Sequence, residues 1–305
     1  MYDLPTELWL KIIRSACLDD GSTARALSAV SHRIRVISHE FRYQSIAVTG
    51  TSQVQHLVDA LQHPDHLGCR VEALFVDTDD ISLITQLCSI VAPTVEILTI
   101  VAAVRRPDPS TTSPIDLYFP RLRELTVRGF IMLPQSNTFA PALERLEILY
   151  SIASTSNFFD FSAVNHPNLL FTILHSDLNC TDVEAFSSML RLLSAVGLRV
   201  FDRQNKLSLS PQRSVALEFG SRAAQTQQVA ENRKVHQWML QQRFKRRSHF
   251  VLLPEMASGK GIARERWLDR VQGKDGIWAL IEAKIQDNIR QARDESENAN
   301  TNANT

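Results

Sequence analysis

Cysteine is scarce in this chain. Cys17, Cys69, Cys88 and Cys180 lie at least 19 positions apart, so there is no CxxC pair for zinc or dithiol chemistry and no dense disulfide framework. A reducing compartment, cytoplasmic or nuclear, is the expected setting. An excess of one charge is also lacking: 33 basic residues face 33 acidic ones. That balance removes the electrostatic footprint of a duplex binder or a polybasic membrane clamp, so no nucleic acid and no membrane is expected as a partner. Long apolar runs are missing too. The stretch from Ile81 to Val95 is broken by Ser82, Thr85, Gln86, Ser89 and Pro93 and falls short of the roughly 20 residues a span needs. Asp3, Glu7, Lys11 and Arg14 interrupt the first segment, which therefore does not read as a secretory signal. Finally, no GxSxG elbow, HExxH pair or GxxxxGK[ST] loop occurs. No catalytic, cofactor-binding or metal-ligating residue is predicted, and no cofactor.

The chain has 305 residues, 44% of them hydrophobic, enough for one large or two modest domains at roughly 150 residues each. Pro5 suits a first helical turn and Glu7 complements the positive end of the dipole. Leu8, Ile12 and Ala16, widened by Ile13, predict an amphipathic helix that stops before Gly21. After Ser22, an expected N-cap, Leu27, Val30, Ile34, Ile37 and Phe41 share one helical face, which Ser31 can divide between two helices. Three helices this short make a very small core. Such a unit is expected to need a partner or a neighbouring domain, and to expose an apolar face.

These residues resemble an F-box. The likeness lies in Leu4-Pro5-Thr6-Glu7-Leu8-Trp9-Leu10-Lys11-Ile12-Ile13, Val30-Ser31-His32-Arg33-Ile34-Arg35 and Phe41-Arg42-Tyr43-Gln44-Ser45-Ile46, in the family's order and spacing, and the exit resembles fungal F-box proteins. Ile34 stands where many members have Trp or Phe, and Ser31 where Cys is usual. The resemblance implies that Leu4, Pro5, Leu8, Ile12, Ile13, Leu27, Val30 and Ile34 dock on a Skp-type adaptor, and through it on a cullin-RING scaffold. The alternative is that Leu8, Ile12 and Ile34 merely fill a helical bundle.

A second pattern follows. The frame P-x-L-x-x-L-x-I/V fits Pro93, Val95, Leu98, Ile100; Pro120, Leu122, Leu125, Val127; and Pro141, Leu143, Leu146, Ile148. Looser copies begin at Cys69 (Val71, Leu74, Val76) and Pro167 (Leu169, Thr172, Leu174), so frames start 24, 27, 21 and 26 residues apart. The alternation puts two large side chains on one face of a short strand. Between frames, Val54, Leu57, Val58 and Leu61, then Ile81, Ile84, Leu87 and Val91, then Val183, Phe186, Leu190 and Leu193 predict helices. This region resembles the irregular leucine-rich repeats that follow F-boxes, although no copy carries the usual Asn. An ordinary mixed α/β domain is the alternative. Side chains flanking the buried leucines are expected to point outward and hold an unknown target protein: Phe75, Asp77, Thr99, Val101, Glu124, Thr126, Arg128, Arg145, Glu147 and Leu149.

The whole reads as an α+β protein. A three-helix F-box-like module (1–46) precedes an α/β leucine-rich-repeat-like solenoid (47–255), a helical segment (256–293) and a disordered tail (294–305). Phe250 to Leu253 is expected to add a strand, and Ile277, Leu280, Ile281 and Ile285 a last helix. The expected role is that of the substrate-recognition subunit of a ubiquitin ligase, without catalysis of its own; a non-ligase scaffold is the alternative. An enzymatic rival is weaker. Ala73-Leu74-Phe75-Val76-Asp77-Thr78-Asp79 superficially resembles the paired aspartates of haloacid-dehalogenase-like phosphatases, with Thr99, Asp177 and Asp182 as loose stand-ins for two more motifs. That chemistry needs a lysine before the last motif, and residues 12–205 contain none.

Overall fold

The computed structural model describes residues 4–64, 69–102, 117–129, 139–150, 168–176, 214–221, 250–253, 256–257, 260–274 and 276–303, with single helical positions at 235 and 239. Helix and parallel strand are mixed, and the chain forms two compact units. One comprises Met1–Leu143 with Gly259–Lys274, the other Glu144–Ser258 with Asp275–Thr305. The single expected domain 47–255 is thus divided, and residues 1–46 belong to a larger body.

In the first unit, α1 (Thr6–Ala16), α2 (Ser22–Val30) and α3 (His32–Ser38) precede a short 3-10 turn, His39–Phe41. Ser31 divides α2 from α3 as expected, its side chain accepting the Ile34 N–H at 3.2 Å. The start of α2 differs from expectation. Asp19, not Ser22, accepts the amides of Gly21 and Thr23, at 2.8 and 3.0 Å, and Gly21 turns the chain at φ 89°. A carboxylate placed before the first turn serves both the orphan N–H groups and the dipole.

Next come β1 (Ser45–Thr49), α4 (Thr51–Gln62), β2 (Ala73–Asp77), α5 (Ile81–Val91), β3 (Ile97–Val101) and β4 (Glu124–Arg128). The strands are parallel, and the frame leucines stand in register: Leu74 beside Leu98 beside Leu125, then Val76 beside Ile100 beside Val127. All six are buried. The sequence frames therefore mark real strand positions. Val54, Leu57, Val58 and Leu61 of α4 and Ile84, Leu87 and Val91 of α5 are buried as their spacing predicts, and Asp80 caps α5 at Leu83 N, 3.1 Å. Gly129 follows β4 at φ 106°. A Cβ there would lie 2.6 Å from the Ala102 carbonyl, so both the turn and the close approach require glycine. Helix α6 (Lys260–Val271) completes this unit by packing on β2 and β3.

The second unit holds β5 (Arg145–Tyr150), β6 (Phe171–Ser176), β7 (Ser214–Ser221), β8 (Phe250–Leu252), β9 (Met256–Ala257) and α7 (Gly276–Ala303). β5 to β8 are parallel neighbours in chain order, and β9 pairs with the end of β7. Their core gathers Ala216, Val251, Leu253, Trp278, Ile281 and Ile285. The strand at Phe250 appears as expected. Leu280 does not join the buried stripe; Trp278 takes that place. Helix α7 runs to Ala303, past the Asp294 boundary at which composition suggested disorder, and Arg293 meets Glu297 one turn on at 2.9 Å. The helix expected from Val183, Phe186, Leu190 and Leu193 lies outside the described residues.

Candidate functional site

The helical module has a small interior. Ile13, Cys17 and Ala24 form its centre, with Trp9, Leu27, Ile37 and Phe41 packed around them. The buried face of α1 is therefore the line Trp9–Ile13–Cys17, not the line Leu8–Ile12–Ala16. Consequently Leu4, Leu8 and Ile12 are 42%, 44% and 50% exposed, and Val30 and Val36 are 68% and 62% exposed. Among the eight residues expected at an adaptor surface, Leu4, Pro5, Leu8, Ile12 and Val30 are on the outside and Ile34 is half-buried. Ile13 and Leu27 belong to the interior instead, because only that line of α1 meets α2 and α3. Val36 was not singled out by the sequence; it is exposed on α3 while its neighbour Ile37, about 100° round the helix, packs on the core.

The module is fastened to the strands by polar contacts. Gln44 Nε2 donates to Glu72 Oε2 at 2.8 Å, and Arg14 approaches Glu72 Oε1 at 3.5 Å. Ser45 Oγ donates to the Asp19 carbonyl, and Arg264 pairs with Asp20. Burial pulls the Asp19 carboxyl upward, but hydrogen bonds from Thr23, Ser22 and Gly21 together outweigh it and hold the group below its ordinary value. Burial, with the Asp19 charge adding to it, pushes the Cys17 thiol up to about 11, and burial alone takes Cys88 to about 12. Neither thiol is poised as a nucleophile.

The face expected to hold a target is covered in the first unit. Phe75, Asp77, Thr99, Val101 and Thr126 are all buried. Helix α6 lies over them: the Trp267 ring, fully buried, meets Phe75, Arg270 bonds the Thr126 hydroxyl, and Arg270 Nε stands 3.8 Å from Glu124 Oε2. The expectation that these side chains point into solvent is thereby corrected. A helix far along the chain supplies the second layer that a parallel sheet needs on each face. Arg128 remains half-buried. In the second unit Glu147 is fully buried, Arg145 lies over the Trp278 ring at 5.6 Å, and the Leu149 side chain is outside the described set.

The aspartates at the end of β2 do not form a matched acidic pair. Asp77 is buried, whereas Asp79 is exposed. Thr99 stands in register with Phe75, not with Asp77, and sits under α6; Asp177 and Asp182 are outside the described residues. Among the described residues no three His, Cys, Asp or Glu side chains converge as a metal site, and no helix is long and apolar enough to cross a membrane. No family model, curated protein or solved structure matches the chain.

Proposed function

We propose that the chain is the substrate-recognition subunit of an SCF-type cullin-RING ubiquitin ligase, non-catalytic and working in the cytoplasm or nucleus. On this reading α1–α3 are an F-box that docks on a Skp-type adaptor, and the parallel-strand units are irregular leucine-rich-repeat-like layers that hold a target. The carrying observation is the outer face of the helical module. Leu4, Leu8, Ile12, Val30 and Val36 all stay in solvent although the module has a core to fill. Water-exposed large aliphatic side chains gathered on one small body are what a docking surface supplies. The Leu4-Pro5 opening and the Val30-Ser31 middle, with their family-like spacing, support the same reading, as do the frame leucines aligned across β2, β3 and β4. The target then engages surfaces other than the buried Phe75–Thr99–Thr126 face.

Co-purification of the full chain with a Skp-type adaptor tests this. The Leu4→Ala, Pro5→Ala, Ile12→Ala variant should lose capture, each strong contact contributing about 2 kcal/mol, roughly thirtyfold in affinity. Capture by neither protein, or equally by both, would leave a scaffold that uses its helical module as ordinary structure.

A further inference from the structure

Among the described residues, strand β1 pairs with β2 alone. Its other edge is already covered by the chain: the Ala47 N–H donates to the Asp20 carbonyl at 3.4 Å, and the Thr49 N–H to Gln53 Oε1 at 3.0 Å. With those donors engaged, addition of a foreign strand is disfavoured, and recognition here must use side chains. Along this edge opens a cleft of about 540 Å³ between α2, β1, α4 and α6. Arg25, Arg42 and Arg264 line it, together with His56 and one carboxylate, Asp20. Three guanidinium groups less one carboxylate leave a formal charge of +2 with His56 neutral, in a chain whose net charge is zero.

The three arginines are not equally committed. Arg264 is paired with Asp20. Arg25 donates through its Nε to the Gly21 carbonyl at 3.3 Å, and Arg42 lies 5.4 Å above the Tyr43 ring. Among the described residues neither of these two meets a carboxylate. The contacts they do make restrain the side chains, so less conformational freedom is lost when an anion arrives. Beneath them Ile46, Val48 and Leu57 give the cleft an apolar floor.

We propose that this cleft binds an acidic peptide segment of a partner protein, two neighbouring carboxylates meeting Arg25 and Arg42 while an adjacent apolar side chain rests on the floor. The Arg264–Asp20 pair shows that a carboxylate fits against this wall. A nucleic-acid strand does not suit the site: its phosphates would need a longer cationic track, and Tyr43 is buried beneath Arg42 rather than open for base stacking. The lining shares no residue with the exposed apolar face of α1–α3, so failure of adaptor capture would leave this assignment untouched.

The test is fluorescence anisotropy of the full chain with four short labelled peptides of Gly, Ser and Leu that differ at the centre: Glu-Glu, Gln-Gln, Lys-Lys, or phosphoserine with Gln. The Glu-Glu peptide should bind about tenfold or more tightly than Gln-Gln, with the advantage shrinking as salt is raised. Arg25→Gln with Arg42→Gln should abolish that preference; both side chains are exposed, so the fold, followed by circular dichroism, should persist. As an independent reading, Arg25→Glu with Arg42→Glu should instead prefer a Lys-Lys peptide. Equal binding of Glu-Glu and Gln-Gln, or a preference that survives the double substitution, would overturn the proposal. So would tighter binding of the phosphoserine peptide, which would assign the cleft to phosphate.

Discussion

Trp267 of α6 packs against Phe75 of β2, ring centroids 5.9 Å apart and planes inclined at 51°. Both rings are almost completely buried, and they join the last helix of the first unit to its second strand. Trp267→Ala should therefore cost about 3–5 kcal/mol, because the contact and the apolar burial go together and the cavity cannot close fully. Urea denaturation of the full chain measures it; a loss under about 1 kcal/mol would show that α6 is not an anchored part of this unit.

The same interface carries two unsatisfied groups. Thr99 Oγ1 and Trp267 Nε1 are buried with no hydrogen-bond partner among the described residues. Replacing the hydroxyl by a methyl keeps shape and removes a desolvated polar atom, so Thr99→Val should be neutral or stabilising by about 1 kcal/mol. A marked destabilisation in the same denaturation assay would mean that the hydroxyl is in fact satisfied, for instance by a bound water.

Asp19 predicts a pH dependence. Its carboxyl is held below the ordinary value of 3.8, so the unfolded chain takes up a proton before the folded one does. The contribution is thus complete above the ordinary carboxylate range and is lost as pH falls through the lowered value. Asp19→Ala should cost about 1 kcal/mol at neutral pH, typical for removing a helix cap, and the gap to the parent should close in acid. Unfolding curves at several pH values check this; a gap that is constant across acid would point to a purely structural loss.

Local patterns in the sequence carried much of the architecture. The stripe Val54, Leu57, Val58, Leu61 and the frames at Leu74, Leu98 and Leu125 depend only on near neighbours, so helix α4 and three strands could be placed without tertiary information. Which line of α1 is buried could not be read the same way, because Leu8, Trp9, Ile12 and Ile13 are all apolar and the choice is made by α2 and α3. Strand β7 was missed although Val215, Leu217 and Phe219 alternate; its Glu and Gly and the polar stretch after it masked the period. The basic cleft had no linear signature at all, since Arg25, Arg42, His56 and Arg264 come from separate parts of the chain and converge only in the fold.

The position of α6 in the chain has a consequence for biosynthesis. Ribosomal synthesis releases β2 and β3 long before residues 260–271 emerge, and Phe75, Val101 and their neighbours must wait for their cover throughout that interval. A nascent polypeptide halted short of Lys260 therefore presents an uncapped greasy sheet to chaperones and to other copies of itself. Truncations ending before that helix should accumulate as aggregates, whereas chains that include it mature to soluble product.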